Sequence, residues 1–374
     1  MKKAVMFILA FALAGLCSVT SSLAAGGQNV PLGLPPVPIP SDNPQSPAKV
    51  VLGKRLFMDK RFSADSTVSC AACHDPQKAF TDGLPIAQGI QKKKGTRNSP
   101  TVINAVYYTT QFWDGRVSTL EEQAKGPFVN PVEHGLKDFS PIIEIIKKDP
   151  DYPAFFKRAF GVNPSQTSID YVVKAIAAFE RTVISGNSPF DRYMYGGQKA
   201  AMSEAAIRGL NLFRTKARCQ DCHTIGQTSA IFTDNKFHNL GVGFSKIEPN
   251  LMEIVDKVRK AKAQGLKLDE KVLERQEISE LGRFVVTLSI EDIGRFKTPN
   301  LRNVAVTGPY MHDGSMETLE EVIELYDQGG EDNPMLDSGI RPLNLTEQEK
   351  ADLLEFLKAL TSPEYQTMGK NKKQ

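Results

Sequence analysis

The sequence has almost no surplus of charge: 46 Lys and Arg face 43 Asp and Glu, and no basic block stands out beyond Lys92 to Lys94 and the C-terminal tail. Nucleic acid is excluded as a partner on that ground. Long apolar runs are missing too. The single candidate, Ala4 to about Leu16, falls short of the roughly 20 residues that span a bilayer. Lys2 and Lys3 precede it and Ser22-Leu23-Ala24-Ala25 follows, the order of a secretory signal peptide cleaved near Ala24 or Ala25. Residues 1–25 are therefore expected to be removed, Cys17 with them, leaving a periplasmic product without a membrane span. Nothing in 41% hydrophobic and 24% charged residues suggests disorder or a fibre, and 374 residues allow two buried cores.

Cysteine is scarce as well. Once Cys17 is gone, the remaining cysteines lie inside Cys70-Ala71-Ala72-Cys73-His74 and Cys219-Gln220-Asp221-Cys222-His223. Two thiols three residues apart on one turn reach the two vinyl groups of a single porphyrin, and the His that follows directs its imidazole at the iron. A disulfide, a redox dithiol or half a zinc site uses the same spacing. Zinc, however, needs further Cys or His at matching spacing, and a thioredoxin-like dithiol needs a βαβ context. Two complete copies without a spare cysteine point to two covalent haem c groups, with His74 and His223 as proximal ligands.

The halves repeat each other beyond these motifs. Gly53 to Phe57 is echoed by Gly209 to Phe213, and Phe80-Thr81-Asp82 by Phe232-Thr233-Asp234. Ser99-Pro100, Asn104, Asp114-Gly115 and the Thr-Leu-Glu-Glu run at Thr119 recur at Thr298-Pro299, Asn303, Asp313-Gly314 and Thr318, at a constant offset of 199. Thr119 and Thr318 read as N-caps with carboxylates in the first turn. Apolar i, i+3, i+4 spacing predicts further helices over Pro47 to Met58, Ile169 to Ile184 and Ser203 to Phe213. The strand signal is thin, so the fold is expected to be mainly α. An extra charged segment, about Glu248 to Glu280, reads as a solvated helical insertion with no chemistry assigned to it.

Where the repeats differ, one scaffold position holds different chemistry at each iron. Position 127 is proline, without a donor atom, and its counterpart is Tyr326, whose phenolate oxygen can bind ferric iron. Trp113, the only tryptophan, stands opposite His312, and Gln123 and Glu133 stand opposite Val322 and Asp332. The pattern predicts one reactive site and one closed, electron-storing site.

At Arg97-Asn98-Ser99-Pro100-Thr101, Phe112-Trp113-Asp114-Gly115-Arg116, Glu122-Gln123-Ala124-Lys125-Gly126-Pro127 and Leu301-Arg302-Asn303-Val304-Ala305 the chain resembles the bacterial di-haem cytochrome c peroxidases and MauG. The resemblance runs from about Pro47 to Leu360. It implies two cytochrome c-like haem domains packed together, expected here at 26–190 (peroxidatic) and 191–365 (electron-transferring), with a flexible tail at 366–374. It also implies a calcium ion at their interface, held by Asn98 and by the main-chain carbonyls of Thr307 and Pro309. By position, Gln123 and Glu133 match the residues that flank the open face of the N-terminal haem and manage peroxide protons. Trp113 matches the tryptophan between the haems. Without the resemblance Trp113 reads as core filler and the other two as helix-surface residues.

Two departures from the family pattern matter. Many members block the N-terminal iron with a distal His where Ile90 stands here, so this iron should be open even when both haems are ferric. Many also ligate the C-terminal haem with Met at the position of Tyr326, whereas the MauG branch, which oxidises tryptophans of a partner protein, uses Tyr. Met311, Met316 and His238 remain alternatives for that sixth ligand.

The implied activity is reduction of hydrogen peroxide to water with electrons from a small periplasmic cytochrome c or cupredoxin. Peroxide would bind opposite His74, Gln123 would orient it, and Glu133 would shift a proton from its inner to its outer oxygen. The second haem would supply an electron through Trp113. A MauG-like oxidase acting on a protein partner through high-valent haem iron is the second reading, and a non-catalytic di-haem electron carrier the third. Pro127 and Ile90 argue against the carrier, which would want two six-coordinate irons. Family members are commonly dimers, so a homodimer is an expectation.

Overall fold

Ser46, Thr119, Ser203, Thr318 and Thr346 each stand just ahead of a helical run, and each side chain accepts a backbone N–H of the first turn. Pro47 occupies the first helical position, where a missing N–H costs nothing. In a computed structural model, which describes residues 30–266 and 268–368, seven helices of ten residues or more result. They are α1 (Pro47–Met58), α2 (Leu120–Val129), α3 (Ile169–Glu180), α4 (Glu204–Arg214), α5 (Leu251–Ala263), α6 (Leu319–Gln328) and α7 (Glu347–Lys358). The only sheet among the described residues pairs β1 (Phe237–His238) antiparallel to β2 (Phe296–Lys297), so the fold is mainly α. The expected signal sequence, Cys17 included, and residues 369–374 of the expected tail lie outside the described residues.

α1 matches its predicted span, and Ser203 caps α4 instead of opening it. α3 stops at Glu180, four residues before Ile184. Thr182-Val183-Ile184 is a β-branched run, poor in helices, and the Val183 carbonyl is taken by the Asn104 N–H at 2.9 Å instead of continuing the ladder.

The halves are built alike. α1 crosses α3 where Gly53 meets the Ala175 carbonyl, and α4 crosses α7 where Gly209 meets the Asp352 carbonyl; a β-carbon at either glycine would strike the facing backbone. Phe57, Phe62, Phe128 and Tyr152 fill the first core, and Phe190, Phe213, Phe232 and Phe356 the second. Asn104 and Asn303, matched in the repeat, both take left-handed backbone at φ 63° and 61°. Their amides converge on Ser185: Asn104 pairs with its N–H and carbonyl at 2.9 Å each, and Asn303 donates to its hydroxyl at 3.0 Å. In the second half Arg302, fully buried, is bidentate to Asp191 at 2.7 and 2.8 Å and also donates to the carbonyls of Ala230 and, across to the first half, Gly33.

The segment expected as a solvated insertion has a core of its own. Ile254, Val255 and Val258 of α5 share one face and pack with Phe244, Leu281, Phe284 and Ile293. The charge that dominates the composition sits on the other face, in i,i+4 pairs such as Glu253–Lys257 and Asp256–Lys260. The segment also grips the first half. Val272 accepts from the Thr96 hydroxyl at 2.6 Å, and Ser279 accepts from Arg97 through its hydroxyl and its carbonyl at 3.0 and 2.9 Å.

Candidate active site

Cys70–Cys73 forms a single helical turn, closed by the His74 N–H to the Cys70 carbonyl at 2.9 Å; His223 and Cys219 repeat this at 2.8 Å. The His74 Nδ1 stands 3.3 Å from the Phe80 carbonyl and the His223 Nδ1 2.9 Å from that of Phe232. Both phenylalanines take left-handed backbone, φ 57° and 51°. That bond fixes the tautomer and leaves Nε2 of each ring as the ligand atom. Burial pushes the His74 imidazole down to about 4 and lowers His223, so both are neutral donors. No disulfide joins the four cysteines. Burial pushes the Cys73 and Cys219 thiols up to about 12, away from the thiolate that a reactive dithiol needs. Paired thiols on one turn with a free imidazole nitrogen fit a haem c in each half.

A cavity adjoins each turn. The first is lined by Cys73, His74, Gln123, Pro127, Glu133 and Trp113, which brings the predicted reactive-site residues together. Gln123 and Pro127 lie one turn apart on α2, and neither the Gln123 amide nor the Glu133 carboxyl has a hydrogen-bond partner among the described residues. Glu133 follows α2 in a turn whose carbonyl accepts the Ile90 N–H at 2.9 Å. Ile90 itself is not on the cavity wall; it is buried against Gly135 and braces the Glu133 turn. Burial pushes Glu133 up to about 7, with Arg116 drawing it partly back. For Asp114 burial works the same way but loses: Arg116 and Arg97 hold its carboxyl down at about 2. That ion pair anchors the loop carrying Trp113, with Arg97 at 2.7 Å and Arg116 at 3.0 Å.

The second cavity is lined by Cys219, Cys222, His223, Tyr326, Met311 and His238, and also by Asn98, Thr307 and Pro309. Tyr326 has no hydrogen-bond partner for its hydroxyl among the described residues, whereas both His238 nitrogens are taken, by Asp337 at 2.7 Å and Asp234 at 3.0 Å. Met316 is not on this wall. Asn98 turns its amide nitrogen to the Leu84 carbonyl at 2.9 Å. Its Oδ1 and the Thr307 and Pro309 carbonyls accept no hydrogen bond among the described residues, and three free oxygens are the donor type calcium takes.

The cavities share a wall. Asn98, Pro100, Thr101, Tyr108, Trp113, Lys297 and Pro299 line both. Trp113 is fixed there by its indole N–H to the Asn98 carbonyl at 3.0 Å and by its carbonyl to the Lys297 N–H at 2.8 Å. Sequence reasoning missed Lys297, whose ammonium lies 3.2 Å from the Tyr108 ring centre. Running the offset of 199 one residue upstream of Ser99 pairs Asn98 with Lys297 and would have found it. It also missed Glu180, on the wall of the first cavity.

The model of the di-haem cytochrome c peroxidase family matches residues 47–199. A cytochrome c peroxidase of Denitromonas iodatirespirans, IdrP1, is 40% identical over 362 residues, 95% of this chain and 93% of that protein. The methylamine utilisation protein MauG of Methylorubrum extorquens is 36% identical over 324 residues, 87% of this chain and 81% of its own. Among solved structures, a MauG-like protein associated with microbial copper homeostasis superimposes with a TM-score of 0.73 at 33% identity, covering 91% of this chain and 96% of that one. A chain that repeats the haem turn twice, and is this similar to peroxidases over nearly its whole length, belongs to the di-haem cytochrome c peroxidase and MauG family, is a peroxidase-type oxidoreductase, and by that membership carries two c-type haems.

Proposed function

We propose that hydrogen peroxide is reduced in the cavity beside His74 and that the cavity beside His223 holds the electron reserve. The observation carrying this reading is the mismatch of α2 and α6. Equivalent turns of the two helices put Pro127, with no ligand atom, on one wall and Tyr326, with an unpartnered hydroxyl, on the other. Bound haems would supply iron for peroxide binding and one-electron redox chemistry. Cys70, Cys73 and His74 would hold one, and Cys219, Cys222, His223 and Tyr326 the other.

The remaining chemistry belongs to the side chains. Gln123, its amide free, orients peroxide by hydrogen bonding. Glu133 in its carboxylate form takes the proton of one peroxide oxygen and returns it to the other, so that water leaves as the O–O bond breaks. Trp113, held on the shared wall at both its indole N–H and its carbonyl, is the bridge for electrons between the cavities. Asn98, through its free Oδ1, and Thr307 and Pro309, through their carbonyls, would hold a calcium ion. The haem domains are taken as 26–190 and 191–365. The leader-like N-terminus supports a periplasmic enzyme, with a small cytochrome c or cupredoxin as its donor; no helix among the described residues is long and apolar enough to cross a membrane.

Tyr326 also favours a second reading, a MauG-like oxidase of a protein partner, because a phenolate ligand lowers the potential where Met would raise it. Steady-state turnover separates the two. Rapid peroxide consumption with a reduced small cytochrome c is expected, and its absence would reject the peroxidase. Electron paramagnetic resonance of the ferric holoprotein tests the haem roles: one high-spin and one low-spin signal are expected, both lost on peroxide addition. Two low-spin signals would overturn the open site at His74.

A further inference from the structure

Glu180, in the last turn of α3, is 5% exposed and lines the cavity beside His74. Its carboxyl has no hydrogen-bond donor among the described residues, and Oε2 is buried without a partner. Such a group costs stability and needs a reason. Arg181, next in the chain, and Glu121 of α2 are the charges that act on it, and they hold each other at 2.6 Å. Cys70 is its titratable neighbour on the haem turn, and Lys49 of α1 is turned away to Asn43 and the Pro44 carbonyl. Burial outweighs Arg181 and pushes Glu180 up to about 8, so it is a neutral acid near neutral pH.

The repeat shows that the fold does not require an acid here. Gly53 meets the Ala175 carbonyl and Phe179, and Gly209 meets the Asp352 carbonyl and Phe356. These contacts superimpose Ala175 on Asp352 and Phe179 on Phe356, which puts Glu180 on Leu357. Leu357 lines the second cavity. At one place on one helix, the first cavity takes a carboxylic acid and the second a hydrocarbon.

We propose that Glu180 is a proton donor of the peroxide-reducing cavity, delivering one of the two protons consumed in each turnover. The proposal rests on the assignment of peroxide reduction to the cavity beside His74. Hydrogen peroxide takes up two electrons and two protons to give two waters. Glu133 only moves a proton between the peroxide oxygens and ends as it began, so it supplies none of the two. Glu180 breaks its carboxyl O–H bond as an O–H bond of water forms, while the electrons come from the small protein donor. Its carboxylate is then reprotonated from solvent. A surface crevice lined by Glu121, Lys125, Lys174 and Arg181 shares Leu120, Tyr108 and Gln111 with the cavity and is the route by which solvent would reach Glu180.

The test compares wild-type holoprotein with Glu180→Gln and Glu180→Leu, the second copying Leu357. Turnover, thermal unfolding, ferric electron paramagnetic resonance and the infrared difference spectrum on adding reduced donor protein to the peroxide-treated holoprotein are read together. Both variants should lose on the order of 10²- to 10⁴-fold in turnover, the range of general acid catalysis, and keep the ferric signals. Glu180→Leu should also unfold at higher temperature, since an orphaned acid has gone. As the donor's electrons arrive, the wild-type difference spectrum should show transient loss of a protonated-carboxyl band that is missing from both variants. Wild-type turnover in either variant, or slow turnover with the carboxyl band still present, overturns the proposal while leaving the peroxide site intact. If the wild-type high-spin signal survives peroxide, the site assignment itself fails, and the two failures are distinct.

Discussion

Glu133→Gln keeps the size and hydrogen-bonding capacity of the side chain and removes only its basicity. Burial pushes the wild-type carboxyl up to about 7 and Arg116 lowers it in part. The base is the deprotonated form, so activity must rise as pH passes upward through that value. One unit below it about a tenth of the molecules carry the carboxylate and one unit above about nine-tenths, so kcat/KM should climb about tenfold between roughly pH 6 and 8. Loss of a general base costs on the order of 10²- to 10⁴-fold, and the variant should fall by that factor with the limb flattened. Arg116→Met gives an independent arm. Without the cation that lowers Glu133, the midpoint should move to higher pH. The assay is rapid mixing of ferric holoprotein with peroxide across this range, following loss of the high-spin signal. A limb that survives unchanged in Glu133→Gln would refute the role of Glu133 whatever the size of the rate loss.

Three further outcomes are expected. Tyr326→Phe should change the low-spin ferric signal, and an unchanged spectrum would remove Tyr326 as a ligand and return the choice to Met311. Asp191→Ala leaves the Arg302 guanidinium buried without its bidentate partner. Losses of about 3–5 kcal/mol are usual for such a break and correspond to a fall of roughly 4–7 °C in Tm for a chain of this size; an unmoved Tm would show that the pair adds nothing to stability. Chelation of calcium should slow peroxide turnover several-fold, with recovery on adding the ion back, and indifference to chelator would dismiss the site at Asn98, Thr307 and Pro309.

Features fixed by covalent or capping chemistry were legible in the sequence, because those demands prescribe residues at set spacings. The haem turns and the caps at Thr119 and Thr318 follow from short-range rules, and the contrast of Pro127 with Tyr326 from the repeat at an offset of 199. Features set by packing between distant segments were not. The insertion looked solvated because charge dominates its composition, and the three apolar residues that turn α5 inward are few enough to be lost in it. Ile90 looked like the simple absence of a ligand, and only the contact with Gly135 and the bond to Glu133 give it work. Glu180 was hidden for a different reason. The constant offset of 199 holds through the block from Ser99 to Val129, whereas the pairing of α3 with α7 runs at an offset of 177, visible only where Gly53 and Gly209 meet their partners.

Glu133 and Glu180 together bear on why the first cavity holds two carboxyls that no cation among the described residues pairs with directly. Asp114, a few residues from the same wall, shows the alternative: with Arg97 and Arg116 against it the acid is ionised throughout the useful range and moves no proton. Glu133 has only the weaker pull of Arg116 and Glu180 only that of Arg181, so burial wins at both. The order of the two then assigns their tasks. Glu180, the more strongly raised of the two, is the one expected to remain an acid while Glu133 reaches the carboxylate form. Between the two midpoints one residue can take a proton from peroxide while the other still has one to give, and the rate should pass through a maximum there. Glu133→Gln should remove the rise on the acid side, and Glu180→Gln the fall on the alkaline side. A profile in which either substitution removes both limbs would mean that the carboxyls titrate as one coupled pair, and the division of labour between them would be wrong.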